Sequence, residues 1–351
     1  MNFPKMMRAA ILTEQEQPLV IDSVELPPAL DVGQVLVKVE CSGICGSQLG
    51  EIAGVKGEDK YLPHLLGHEA SGVVNAVGAG VRFVEPGDRV VMHWRKSRGI
   101  ECLPPRYIWR GRPLNAGLIA TLNEYAIVSE NRLTPVASEC DMEVASLFGC
   151  AVTTGFGVAE NNANIQLGES VVVFGAGGVG LNIVQAAALR SAYPIIAVDL
   201  YDGRLELAKS LGATHTINSS IDDARALISG ILAEQGLDVF IDNTGQSAII
   251  EMGYELTNAQ GRVVLVGVPR KGHNIKIHSL PLHFNKQLSG SHGGEAIPHQ
   301  DIPRYMRLFD AGLIQLKPLI TEHFRLDEIN TAIARMRTGK LSGRCLIRMC
   351  D

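Results

Sequence analysis

Up to about Phe148, apolar residues come in short alternating or β-branched runs. Val35-Leu36-Val37-Lys38-Val39 alternates like a half-buried strand, and Gly72-Val73-Val74 and Asp88–Met92 are compact β-branched segments. Turn signals separate them at Pro27-Pro28, Val32-Gly33, Gly78–Gly80 and Pro86–Asp88. This part of the chain is predicted to be β-rich.

From about Ala151 the pattern changes. Val171–Phe174 is a fully apolar strand ended by glycines, a helical period runs from Gly178 to Arg190, and Ile195–Val198 is a second apolar strand. Arg204–Leu211 reads as a helix closed by Gly212, and Thr216-Ile217 as a brief strand. Helix Ala224–Gln235, strand Val239–Asp242, helix Ala248–Leu256 and strand Val263–Val266 follow. Strands apolar on both faces, alternating with helices, predict an α/β fold with a doubly wound parallel sheet covered on both sides. Past about His292 the alternation stops. Ile302–Ala311 and Leu326–Thr338 read as helices and Arg344–Met349 as a strand, a tail able to pack back on the N-terminal part. A length of 351 residues suits two domains at roughly 100–200 residues each.

The strand Val171–Phe174 runs into Gly175-Ala176-Gly177-Gly178-Val179-Gly180, which opens the helix. This is a G-x-G-x-x-G in its required context of strand, turn and helix. Gly175 allows the tight turn, Gly177 admits a pyrophosphate close to the backbone, and Gly180 lets the helix pack against the strand. The helix N-terminus then holds the phosphates through free N–H groups and its dipole. Asp199 ends the second strand, 19 residues after Gly180, where an acid accepts hydrogen bonds from the adenosine ribose. Leu200 follows it and no Arg is adjacent. The acid repels a 2′-phosphate, so NAD is favoured over NADP. Arg204, opening the next helix, joins the cofactor-binding set.

Composition narrows the field without changing that picture. With 46% hydrophobic and 20% charged residues the chain reads as an ordinary globular protein, and its net charge of −5 gives no general attraction to nucleic acid or anionic membrane. No signal peptide or run of about 18 apolar residues is found, so a cytoplasmic location is expected. The seven cysteines are odd in number and irregularly spaced. Reduced thiols or metal ligands are expected rather than disulfides.

Cys45, His68 and Cys150 form a donor set that suits zinc with a fourth position open. Taken singly, each has a plainer reading: a buried Cys is usually a small core hydrophobe, and a His-Glu pair such as His68-Glu69 usually a surface hydrogen bond. Five ordered motifs add to this set. Cys41–Ser47, Gly67–Val73, Gly87–Val90, Gly149–Gly155 and Gly175–Gly180 follow one another as in zinc-dependent medium-chain alcohol dehydrogenases, and the similarity spans nearly the whole chain. The resemblance is to the sorbitol/polyol- or threonine-dehydrogenase-like branch that lacks a four-cysteine structural zinc site.

That resemblance implies a GroES-like β-rich catalytic domain built from residues 1–151 and 292–351. It also implies a Rossmann domain of residues 152–291, with the active site in the cleft. Cys45, His68 and Cys150 resemble the catalytic zinc ligands, and Glu69 an outer-shell acid or transient ligand. Ser47 resembles the hydroxyl that takes the substrate proton. Arg344 resembles the basic residue that reaches the cofactor pyrophosphate, and Val266, Val268 and Ser291 resemble positions lining the nicotinamide site. Gln48 and Trp94 fall at the substrate pocket. The reaction implied is hydride transfer between an alcohol (polyol, sugar or cyclitol favoured) and NAD. Zinc acts there as a Lewis acid on the alcohol oxygen, and Ser47 relays the proton.

The chain departs from the family at three places. Between Val91 and Tyr125 it has only Cys102, so one zinc per chain is expected. Gln48 stands where members have Asp. Its amide oxygen is expected to accept the N–H of the ligand His68 without charge, leaving the zinc more electrophilic. Gly50 stands where some members have a relay His. The loop from His93 to Pro113 carries Arg95, Lys96, Arg98, Arg106, Arg110 and Arg112 against Glu101, with Trp94, Tyr107 and Trp109. It reads either as a lid for a polyol, sugar or anionic substrate or as an oligomer contact or solvated loop. Two other readings of the chain stay open: a zinc-free reductase of the same superfamily, and a non-catalytic NAD-binding protein. By the family pattern the β-rich segment Gly267–Ser291, with Ile275–Ile277, is expected to pair across a homodimer or homotetramer. No nucleic acid or membrane partner is expected.

Overall fold

The computed structural model describes residues 3–339 and 341–349. It divides into two compact units, residues 1–150 with 297–351 and residues 151–296.

The first unit holds two sheets. A five-stranded sheet runs in the order His64–Leu65, Met6–Leu12, Val20–Glu25, Tyr107–Trp109, Arg112–Leu114. A seven-stranded sheet runs Leu133–Pro135, Arg89–His93, Glu69–Val77, Gln34–Gly43, Arg344–Arg348, Ile320–Arg325, with Tyr125–Ser129 also paired to Gln34–Gly43. Alternation along Gln34–Gly43 explains how the strand serves both faces. Val35, Val37 and Val39 enter one core with Ala70, Val74, Val90, Met92 and Ile347, while Leu36 enters the other with Met7, Ile11 and Tyr107. The tail strand Arg344–Arg348 lies antiparallel to this strand, with Leu346 opposite Gly43 and Arg348 opposite Cys41.

The second unit is a six-stranded parallel sheet. Its strands are Val171–Phe174, Ile195–Asp199, His215–Asn218, Leu237–Asp242, Thr257–Leu265 and Gln287–Gly290, ordered 3-2-1-4-5-6 in their own sequence. Every residue of the first two strands is buried, which is why they read as continuous apolar runs. The order reverses between Val171–Phe174 and Leu237–Asp242, the switch point at whose carboxyl edge such sheets take ligands.

Three expectations shift. Helix Ala151–Gly157 starts the second unit at Ala151, and His292–Ala296 stays with that unit, five residues beyond the sequence boundary. The reason is local: Asn161 Nδ2 donates to Gly294 O at 2.8 Å, and a Cβ on Gly157 would sit 2.4 Å from that same oxygen. In Gly267–Ser291 only Gln287–Gly290 is a strand, and Ile275–Ile277 is irregular. There the Lys276 N–H goes to Glu251 Oε1 at 2.7 Å instead of to a neighbouring strand. Third, the basic and aromatic loop contains a hairpin, Tyr107–Trp109 with Arg112–Leu114. Its two central residues, Arg110 and Gly111, both have positive φ (49° and 72°), the geometry that suits a tight hairpin turn. Among the described residues no helix is long and apolar enough to cross a membrane.

Candidate metal and dinucleotide sites

The three sulfur and nitrogen donors come from three different places in the first unit. Cys45 is the N-cap of helix Gly46–Ile52. His68 precedes strand Glu69–Val77, and Cys150 closes the segment that follows helix Met142–Leu147. That helix is fixed by Asp141, whose Oδ1 accepts the N–H groups of Glu143 and Val144 at 3.1 and 3.4 Å. It is tied to strand Glu69–Val77 by the Ser71 hydroxyl, which donates to Met142 O at 2.5 Å. Gly149 completes the approach, since a Cβ there would lie 2.4 Å from Met92 O and 2.7 Å from Glu69 Cα.

The result is that one ligand atom each of Cys45, His68 and Cys150 lies within 4.8 Å of the others. A tetrahedral zinc needs donor atoms roughly 3.4–3.8 Å apart, from Zn–S of about 2.3 Å and Zn–N of about 2.0–2.1 Å. The set therefore suits zinc in its chemistry, and its donors lie close enough to converge on one ion. The Cys150 thiol beside it holds the Cys45 thiol well below its usual value, helped by His68 and Arg344 against the opposing effect of burial. A thiol poised toward thiolate is the form that ligates.

Ser47, the second residue of the helix, is exposed two positions from Cys45. Gln48 is not a pocket wall. It is buried, 1% exposed, and its amide is committed on both sides. Its Oε1 accepts the Cys45 backbone N–H at 2.7 Å, and its Nε2 lies 2.5 Å from His68 Nδ1. The expectation that the amide oxygen supports His68 is thus reversed: the oxygen is taken by the helix N-cap. Gly50 is half-buried, with only Val55 near its Cβ direction.

Glu69 is fully buried and ion-paired with Arg344, itself 4% exposed. Arg344 was expected at the cofactor pyrophosphate. In the first unit its guanidinium lies on this carboxylate. Trp94 is half-buried just after strand Arg89–His93, with the Arg95 guanidinium over its ring at 5.9 Å and its carbonyl accepting from Arg132. Several other residues of the loop are committed elsewhere. Tyr107 is a core residue, and its hydroxyl oxygen accepts the Ile127 N–H. Trp109 Nε1 donates to Asp22, which also takes Arg110. Lys96 pairs with Glu101 at 2.9 Å. Cys102 Sγ lies 3.0 Å from Ser129 Oγ.

In the second unit the glycine turn sits at the carboxyl edge of the sheet. Gly175 has φ +96°, and a Cβ on Gly180 would lie 2.0 Å from Gly175 O, so the helix Gly178–Leu189 abuts the turn as only glycine allows. Above Gly177 there is open space. Gly178 and Val179 form the first helical turn, whose N–H groups have no intrahelical acceptor. Asp199 Oδ2 accepts the Ala176 N–H at 2.8 Å, and Oδ1 accepts those of Leu200 and Tyr201 at 2.8 and 3.2 Å. Arg204 lies 3.5 Å from Asp199 Oδ1, with its guanidinium over Tyr201. Val266 and Val268 follow strand Thr257–Leu265, and Ser291 follows Gln287–Gly290, on the same edge of the sheet.

One cluster had no signal in the sequence. Glu51, Asp59 and His64 bring a ligand atom each within 4.8 Å of one another. His64 is buried; its Nδ1–H donates to Leu65 O at 2.9 Å and its Nε2 lies 2.8 Å from Asp59 Oδ2. The three residues are scattered through a turn-rich stretch with no ligand spacing, so only the fold brings them together.

Comparison with known proteins agrees with this geometry. Residues 31–138 match the alcohol dehydrogenase GroES-like domain, and residues 178–311 match the zinc-binding dehydrogenase domain. The S-(hydroxymethyl)glutathione dehydrogenase of Escherichia coli O1:K1 / APEC is 32% identical over 370 residues, covering 97% of this chain and 99% of that protein. The enzyme of the same name from Haemophilus influenzae is 32% identical over 364 residues, with 95% of each chain covered. Among solved structures, benzyl alcohol dehydrogenase from Acinetobacter calcoaceticus superposes with a TM-score of 0.88 at 29% identity, covering 99% of this chain and 100% of that one.

Proposed function

The chain belongs to the zinc-dependent alcohol dehydrogenases of the medium-chain type, and from that premise we propose that it exchanges a hydride between an alcohol and NAD. The observation that carries the reading is the convergence of Cys45, His68 and Cys150, with the exposed Ser47 hydroxyl two residues from the first ligand. Those three side chains would hold zinc, which supplies Lewis acidity toward an alcohol oxygen, while NAD supplies the hydride acceptor. The protein's own contributions are positional. Ser47 offers an oxygen that accepts the substrate hydroxyl proton and passes it outward, which its exposure permits. Glu69, the residue after His68, is held in the interior beside the Arg344 guanidinium.

NAD rather than NADP is supported by Asp199. Its carboxylate is fastened to the glycine turn through Ala176, where an adenosine ribose belongs and a 2′-phosphate would meet a negative charge. The alcohol is proposed to be a polyol, sugar or cyclitol, on the resemblance to the branch without clustered cysteines. Tyr107 and Trp109, being packed in the first unit, lend no support to a stacking lid. A homo-oligomer is proposed through the edge strand Gln287–Gly290 and the exposed Leu280, Leu282 and Phe284 beside it. Light scattering giving a monomer mass would remove that element.

The decisive experiment measures zinc content and NADH formation with sorbitol, inositol, benzyl alcohol and S-(hydroxymethyl)glutathione, for the natural chain and for Cys150→Ser. Loss of both zinc and turnover in Cys150→Ser is expected. Turnover that persists without zinc would favour the zinc-free reductase reading. No turnover by a zinc-loaded, NAD-binding protein would favour the non-catalytic one.

A further inference from the structure

The contacts of Gln48 bear on how firmly the site holds its metal. The Cys45 backbone N–H is a donor in every state of the protein, and it points at Oε1 of Gln48 at 2.7 Å. That contact fixes which end of the amide is which, because exchanging the two ends would set an NH2 against an N–H. The NH2 is therefore the group 2.5 Å from His68 Nδ1. An NH2 has only hydrogens to offer, so Nδ1 is the acceptor in this arrangement. With Nδ1 occupied by Gln48, Nε2 is the nitrogen left for the metal. A neutral imidazole that ligates through Nε2 carries its proton on Nδ1, which then faces a second donor.

We infer that Gln48 is a positioning residue that loosens the grip of His68 on zinc, so that this site exchanges its metal more readily than one backed by a carboxylate. Two donors surround the side chain at position 48 in the loaded state, the Cys45 N–H and His68 Nδ1–H. A carboxylate satisfies both with its two oxygens. An amide satisfies one and opposes the other, whichever way it is turned. Gln48 is 1% exposed, so water has no room to mediate. Partners of a ligating His typically change metal affinity by about 10–100-fold, and here the sign is unfavourable to binding. The inference rests on the metal-site reading above and concerns affinity, not turnover.

Gln48→Glu tests it with a single N-to-O exchange that keeps the shape and the helix N-cap contact. Zinc dissociation constants and release rates are measured by chelator competition for the natural chain, Gln48→Glu, Gln48→Leu and Cys150→Ser, with circular dichroism to compare folding. Gln48→Glu is expected to hold zinc about 10–100-fold more tightly and to release it correspondingly more slowly. Gln48→Leu removes the opposing NH2 and the support together, and is expected to stay within about threefold of the natural chain. Equal or weaker binding by Gln48→Glu overturns the inference. So does a tenfold loss in Gln48→Leu, which would mean that the amide helps. If zinc binds stoichiometrically and is lost in Cys150→Ser, either failure leaves the metal site standing. If neither the natural chain nor Gln48→Glu takes up zinc, both readings fall.

Discussion

Replacing Arg344 by Met removes one half of an ion pair from the interior of the first unit. The side chains of Glu69 and Arg344 are 0% and 4% exposed, so neither charge is hydrated. Gly43 is packed against the carboxylate so closely that a Cβ there would lie 2.8 Å from Oε1. Breaking a buried pair from one side typically costs about 3–5 kcal/mol, whereas removing both charges together is often nearly neutral. Arg344→Met is therefore expected to destabilise this unit by about 3–5 kcal/mol, and adding Glu69→Gln to recover most of it. Urea unfolding at pH 7 in excess chelator measures this without a contribution from bound metal. Tryptophan fluorescence is the appropriate signal, because Trp94 and Trp109 both belong to this unit. The outcome that refutes the reasoning is a raised KM for NAD with unchanged unfolding. That would return Arg344 to the role at the pyrophosphate that the sequence implied.

Other outcomes follow from the same geometry. Gly180→Ala drives a Cβ to 2.0 Å from Gly175 O and should lower stability by about 1–3 kcal/mol, whereas Gly177→Ala meets open space and should weaken NAD binding with stability retained; calorimetry and NAD titration of the two variants separate these cases. Burial pushes His93 down to about 4, from an ordinary value near 6.5. Between those values the unfolded chain binds a proton that the folded chain refuses, so stability is lost as pH falls from 6.5 toward 4, by up to about 3 kcal/mol. His93→Gln should flatten that part of the unfolding profile; an identical acid slope in both proteins would rule out His93 as its source. Elemental analysis should return one zinc per chain. A second, removed by His64→Ala, would assign a metal to the Glu51, Asp59 and His64 cluster instead.

The sequence made the second unit legible because its strands are buried on both faces and bounded by glycines. Val171–Phe174 and Ile195–Asp199 have no polar residue until the acid at the end. The zinc ligands were legible as residue types in ordered motifs. Helix Gly46–Ile52 was not, since it is short, opens on a Cys rather than Ser, Thr, Asp or Asn, and carries Gly46 and Gly50. What the sequence concealed was direction. Gln48 faces His68 with nitrogen because a backbone N–H elsewhere claims its oxygen. Arg344 faces Glu69 because the register sets Leu346 opposite Gly43. Tyr107 and Trp109 were left open between a lid and a surface loop because the alternation that marks their strand is only three residues long.

The strand bearing Arg344 lies beside Gln34–Gly43, yet it leaves the ribosome long after the residues it completes. Cys150, the last of the three ligands to be made, is synthesised roughly 200 residues earlier, which at about 5–20 residues per second is roughly 10–40 s. During that interval a nascent chain has every metal ligand in hand and can close the continuous unit 151–296 on its own. What it lacks is the cation that neutralises Glu69 and the strand that covers Gly43. A ribosome stalled before Arg344 would thus hold a polypeptide that has its three ligand residues but lacks the guanidinium beside Glu69, a species for chaperones and proteases to sort.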